Sequence, residues 1–123
     1  MSHHETWGTY TPTLTGVNNV TSTTAYEAQW MQIGKVVTVS GKIGVEPTAN
    51  NTSTRVRISL PVASNFATQQ QCSGAGSNVD TTTTAHPVRI VADTTNNEAE
   101  LGYYETHGTA SEDMTFIFTY LIV

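Results

Sequence analysis

Four histidines and one cysteine are the residues of this 123-residue chain with the widest range of chemistry. His3 and His4 are adjacent near the N-terminus, whereas His86 and His107 stand far apart in the sequence. Neighbouring side chains of an extended segment point in opposite directions, so the His3–His4 pair is a poor chelate. Cys72 cannot form an intrachain disulfide or a cysteine-rich zinc site alone, and we expect it to be a small buried hydrophobic residue. The sequence predicts no metal site and no cofactor.

Acidic residues occur in two arrangements that deserve a chemical interpretation. Glu98 and Glu100 fall on one face of an expected strand, and paired carboxylates in a cleft can perform general acid–base catalysis. This pair follows a polar turn, so a solvated face is expected instead. The turn at 93–98 has the oxygen density of a calcium loop but lacks the central glycine and the ligand spacing. We therefore expect no catalytic residues and a protein that is not an enzyme.

Aromatic side chains are the remaining candidates, because exposed Trp and Tyr rings can stack on sugar rings. Most aromatic residues fit the inward positions of their strands, which predicts core packing. Tyr103 and Tyr104 are adjacent and must face opposite sides of a regular strand, so one of them should lie outside the core. Together with His107, Asn96 and Asn97, they form the predicted set for a subunit interface or a glycan contact.

The composition indicates a surface that packs against neighbours. Only 12% of residues are charged, against about 25% in ordinary proteins, and threonine makes up roughly a fifth of the chain. Five Lys and Arg against ten Asp and Glu give a net charge of −5 without a basic run, which argues against nucleic-acid binding. The sequence shows no polybasic patch, amphipathic helix or long apolar segment, so no membrane contact is predicted. The N-terminus also lacks the regions of a signal peptide, which predicts cytoplasmic synthesis.

Alternation of apolar and polar residues with period 2 predicts an all-β, antiparallel fold of about eight short strands. The clearest case is a hairpin over residues 25–46, with a two-residue type II′ turn at Gly34–Lys35. The alternation slips at Trp30–Met31, which predicts a β-bulge. Residues 88–104 predict a second hairpin. Eight strands in a chain of this length favour a β-sandwich, with a jelly roll as the first choice.

Other segments give weaker patterns. The run 66–72 predicts a more polar strand, and 73–78, rich in Gly and Ser, predicts a flexible connection. The last strand, 114–123, becomes apolar on both faces towards its end, which predicts a central strand or burial by a partner subunit. Residues 1–9 are expected to form an N-terminal arm, followed by a single domain over 10–123.

Four segments carry a resemblance to a known family: Trp7–Thr15 (WGTYTPTLT), Trp30–Lys42 (WMQIGKVVTVSGK), Ile58–Ser64 (ISLPVAS) and Phe116–Tyr120 (FIFTY). Together they resemble the short virion proteins and tail-fibre domains of bacteriophages. The resemblance spans most of the chain and weakens over 69–97. It implies a structural or adsorption component, often trimeric, and it supplies no catalytic residues.

The expected function is therefore that of a virion structural protein, namely a capsid decoration or cement subunit that acts as a homotrimer at a local symmetry axis. The arm, with His3, His4, Trp7 and Tyr10, is expected to anchor the subunit on the major capsid protein or other virion proteins. The alternative is a tail-fibre or spike adsorption module that binds host surface glycans through loop aromatics. In both cases the protein is assembled in the host cytoplasm and located in the virion.

Overall fold

A computed structural model describes residues 5–79, 85–106 and 108–123. These residues form ten strands: β1 (Glu5–Tyr10), β2 (Leu14–Asn18), β3 (Val20–Ala25), β4 (Ala28–Ile33), β5 (Val36–Pro47), β6 (Thr52–Ile58), β7 (Cys72–Val79), β8 (Ala85–Asp93), β9 (Glu98–Glu105) and β10 (Glu112–Leu121). A short 3₁₀ helix, Gln69–Gln71, precedes β7. All strand pairings are antiparallel. The all-β antiparallel prediction is confirmed, with ten strands rather than about eight. No helix in the described part of the chain is long and apolar enough to cross a membrane.

The strands form one hydrogen-bonded sheet in the order β1-β4-β5-β10-β7-β8-β9-β6-β2, and β3 pairs with β5. One edge of the long strand β5 pairs with β10, whereas its other edge pairs first with β4 and then with β3. Only Asn19 separates β3 from β2, which pairs with β6 at the far end of the order. The segment β2–β3 therefore links the β2 end of the path back to β5, so the sheet curls around a single core.

A sharp corner at Asn19 makes this link possible. Its φ of 59° lies in the left-handed region, which Asn tolerates better than most residues. The Asn19 side chain donates to the Ala49 carbonyl at 2.9 Å and to Thr54 Oγ1 at 2.8 Å, and it accepts a hydrogen bond from the Ala49 amide at 2.7 Å. The corner is thus fastened to the loop between β5 and β6.

Alternate residues of the central strands fill the core. Along β10, buried and exposed residues alternate without interruption from Glu112 to Leu121. On the neighbouring strand β5, Val37 and Val39 are fully buried, as the sequence predicted for this face. The position of β10 between β5 and β7 confirms that the last strand is central. Cys72 is free and buried, as expected, and burial raises the pKa of its thiol to about 12.

The β4–β5 hairpin confirms one local prediction and corrects another. Gly34 has a φ of 60° and Lys35 does not have a positive φ, which fits the type II′ turn. The bulge predicted at Trp30–Met31 is absent, because β4 pairs with β5 in an unbroken register from Gln29 to Ile33. Met31 and Ile33 simply point outwards. The alternation seemed to slip because the outward positions of this strand are apolar.

The segment 73–78 is a central strand and not the predicted flexible connection. It belongs to β7, which lies between β10 and β8. A Cβ atom added at Gly74 would collide with the Ile117 carbonyl oxygen and lie 2.8 Å from Phe118 Cβ. The glycine is therefore required by the close approach of β10, whereas the sequence pattern resembled a loop.

The segment 66–72 is also different from its prediction. It forms a loop with the 3₁₀ helix instead of a strand, and Gln71 closes it by accepting hydrogen bonds from the amides of Ala67 and Thr68. Phe66 is buried, and its ring packs edge-on against Tyr120 with 5.9 Å between the ring centroids. The apolar residue that suggested a strand instead anchors the loop to the core.

Candidate functional site

One outer side of the curled sheet is lined by uncharged residues on β4, β5, β10 and β7. Cross-strand partners there form two rows: Trp7, Met31, Thr38, Thr119 and Ser73 in one, and Thr9, Gln29, Ser40, Ile117 and Ala75 in the next. A third row contains Ile33, Val36 and Leu121, and Glu5 of β1 is the backbone partner of Ile33 at the edge of this row. We call these three rows the uncharged face. Trp7 is 77% exposed and Ile117 is 52% exposed, so this face presents large apolar side chains to its surroundings.

Charged residues border the uncharged face. Lys35 lies in the β4–β5 turn, Lys42 and Asp113 form a loose pair at 3.9 Å beyond the other end, and Arg89 follows Ala75 on β8. A contiguous apolar and hydroxyl-rich surface with a polar rim is typical of protein interaction sites.

The outer side of β6 and β9 has the opposite character. Arg55 pairs with Glu100 at 3.4 Å, and Arg57 pairs with Glu98 at 3.1 Å. Asp93 joins this ladder through Arg57 at 3.6 Å. Burial alone would raise the pKa of Asp93, but hydrogen bonds from Asn96 and Thr95, together with the charge of Arg57, lower it below its ordinary value. Glu98 and Glu100 are therefore held in ion pairs on the surface.

A shallow depression of about 360 Å³ lies at the border of the uncharged face, between β7 and β10. Small residues of β7, namely Ala75, Gly76 and Ser77, form its floor, and Ile117 of β10 stands beside it. The face thus has a recess next to a projecting apolar side chain.

A buried polar cluster occupies one end of the core. Glu105 and Glu112 are 1% and 5% exposed. Asn78 Nδ2 donates to Glu112 Oε2 at 2.7 Å, and the Tyr103 hydroxyl donates to the same oxygen at 3.2 Å. Burial raises the pKa of Glu112 to about 7, and the hydrogen bond and charge of Glu105 act in the same direction. The two carboxyl groups face the interior of the sheet rather than an open cleft.

The residues predicted for an anchoring arm are placed differently from one another. His3 and His4 lie outside the described residues. Trp7 and Tyr10 both belong to strand β1, which pairs with β4. Trp7 points outwards on the uncharged face, whereas the Tyr10 hydroxyl turns inwards and donates to the Ser59 carbonyl at 2.8 Å. Of this set, Trp7 is available for contact with a partner.

The residues predicted for a subunit interface or a glycan contact lie at opposite ends of β9. Tyr103 is buried and Tyr104 is 56% exposed, as their adjacency predicted. The Tyr104 hydroxyl donates to the Asn51 carbonyl at 2.7 Å. Asn96 and Asn97 lie in the turn at the other end of the strand, about 20 Å away, where Asn97 Oδ1 accepts a hydrogen bond from the Phe66 amide at 2.9 Å. His107 lies outside the described residues.

Within residues 5–79, 85–106 and 108–123, no group of three or more His, Cys, Asp or Glu side chains could hold a metal ion. The sequence analysis did not find the two features that stand out in the structure. The buried carboxyl pair joins residues from separate strands, so no local pattern indicates it. The sequence did contain a signal for the uncharged face, namely the apparent slip in alternation at Trp30–Met31 and the apolar outward positions of the last strand.

Comparison with known proteins adds no assignment. No family model, no curated protein and no solved structure matches this chain.

Proposed function

We propose that this chain is a structural subunit of a bacteriophage particle that decorates the capsid as a homotrimer. The observation that carries the proposal is the uncharged face, with exposed apolar side chains from Trp7 to Ile117 across five strands. Monomeric soluble proteins rarely leave such a surface open. The resemblance to short virion proteins also supports a structural role in the phage particle. Trp7, on the edge strand β1, is suited to contact the capsid beneath the subunit.

An alternative function is adsorption to host glycans as part of a tail fibre or spike. The observation in its favour is Tyr104, an exposed ring held by the Asn51 carbonyl. Asn50 lies in the same loop, and its Oδ1 accepts a hydrogen bond from the Gly108 amide at 3.2 Å. An aromatic ring beside amide groups is the combination that recognises sugars.

Gold labelling of intact phage particles with an antibody to this chain, followed by negative-stain electron microscopy, tests the proposal. Label distributed over the head is expected. Label confined to the tail would replace capsid decoration with adsorption, and Tyr104→Ala would then be the variant to test for loss of host binding. Particles without label, in a preparation where the same antibody detects the purified protein, would overturn both functions.

A further inference from the structure

The geometry points to a second copy of this chain as the occupant of the uncharged face. This inference rests on the proposed function, since it names the partner of the same surface. It goes further in assigning the contact between subunits to the outer side of β4, β5, β10 and β7, with Ile117 in the row next to the Lys42–Thr115 pair.

Charge distribution is the first argument for a second copy. The chain has a net charge of −5, so two copies that met through acidic surfaces would bring like charges together as water is excluded. The uncharged face lets two copies meet without that cost. A strongly acidic partner would find no opposite charge among the three rows, because Lys35, Lys42 and Arg89 lie outside them.

Shape is the second argument. Ile117 projects next to the recess formed by Ala75, Gly76 and Ser77. A surface that contacts its own copy must provide both the projection and the cavity that receives it. Here the two features are adjacent on one face, so the Ile117 side chain of each copy can fill the recess of another.

The available area allows a contact of modest size. Five strands about 4.8 Å apart span roughly 24 Å, and three rows about 6.7 Å apart span roughly 20 Å. The face therefore measures about 480 Å² per copy before the relief of the side chains is counted, which is below the roughly 800 Å² per partner of standard interfaces and in the range of weaker contacts.

The experiment measures the mass of the full chain in solution by light scattering coupled to size-exclusion chromatography. The wild-type protein is expected at a multiple of 13.3 kDa. Ile117→Lys places a charge beside the recess and should weaken association at least about tenfold, giving the mass of a single chain. Ala75→Trp, which fills the recess, should have the same effect. Val17→Lys is the matched control, because Val17 is also an exposed apolar residue but lies on β2, outside the face.

Circular dichroism and thermal melting show whether each variant remains folded. An outcome in which wild type is monomeric at micromolar concentration would overturn the inference, as would unchanged mass in both folded variants. A monomer that nevertheless labels phage heads would remove this inference and the homotrimer, and it would leave capsid decoration standing. If Ile117→Lys breaks the oligomer but the protein is absent from phage particles, the inference would stand and the proposed function would be overturned.

Discussion

Burial of the Glu112 carboxyl gives the folded protein a higher proton affinity than the unfolded chain at this position. Its pKa rises from the ordinary value of 4.5 to about 7, so folding takes up a proton between these values. The associated stabilisation is fully present below pH 4.5 and is lost as the pH rises through about 7. The free energy of unfolding therefore falls with pH over this window, by at most about 3 kcal/mol from this group.

Replacing Glu112 by Gln should remove this contribution. The amide oxygen can still accept hydrogen bonds from Asn78 and Tyr103. The amide NH₂ takes the place of the proton on the Glu112 carboxyl next to Glu105. We expect Glu112→Gln to be more stable than wild type at pH 8 and similar to it at pH 4.5, as measured by urea unfolding across this range. Asp113→Asn, on the adjacent outward residue, is the control and should follow the wild-type slope. Parallel curves for wild type and Glu112→Gln would contradict the raised pKa.

The strands that the sequence predicted well are those with a clear difference between their two faces. β5 alternates buried valines with polar residues, so its face assignment followed directly from period 2. β4 was misinterpreted as bulged because its outward residues are as apolar as its inward ones. β7 was missed because its inward positions are glycines, which the contact with β10 demands but which local sequence cannot distinguish from a loop. These failures coincide with the uncharged face, which is where surface residues depart from ordinary surface chemistry.

Strand β1 offers a test of the anchoring role at the scale of an element. It pairs with β4 alone, and its closest link to the interior before Tyr10 is Gly8, which faces the Trp30 ring. Deleting residues 1–9 should therefore preserve the fold and lower the melting temperature by a few degrees, since an edge strand contributes few core contacts. The same deletion should abolish binding of the purified protein to particles that lack it, as measured by co-sedimentation.

Trp7→Ala tests the contribution of the Trp7 ring separately from that of strand β1. It keeps β1 paired with β4 and removes an exposed side chain, so we expect near wild-type melting together with weakened co-sedimentation. Full binding by both the deletion and Trp7→Ala would show that the contact with the capsid lies elsewhere on the subunit.

At the scale of the whole molecule, the fold depends on contacts that no local pattern reveals. The sequence predicted antiparallel strands, a single core and a central last strand, but the full strand order, including the position of β7 at the centre, follows from packing between distant segments. The curl of the sheet depends on the corner between β2 and β3. Because that corner is stabilised by one Asn side chain, the closure of the sheet can be tested by a single substitution.

Asn19→Ala should destabilise the protein in two ways at once. It forces a residue with a Cβ and no local polar group into a left-handed φ, which costs about 1 kcal/mol, and it removes the hydrogen bonds to Ala49 and Thr54, which together contribute about 1–3 kcal/mol. Asn19→Gly should lose only the second part, since glycine accepts this φ without strain. Asn51→Ala is the matched control: Asn51 also has a positive φ, 54°, but it is exposed and its side chain makes no hydrogen bond to the described residues. Urea unfolding should rank the losses with Asn19→Ala greatest, and equal losses for Asn19→Ala and Asn51→Ala would mean that the corner is stabilised by backbone conformation alone.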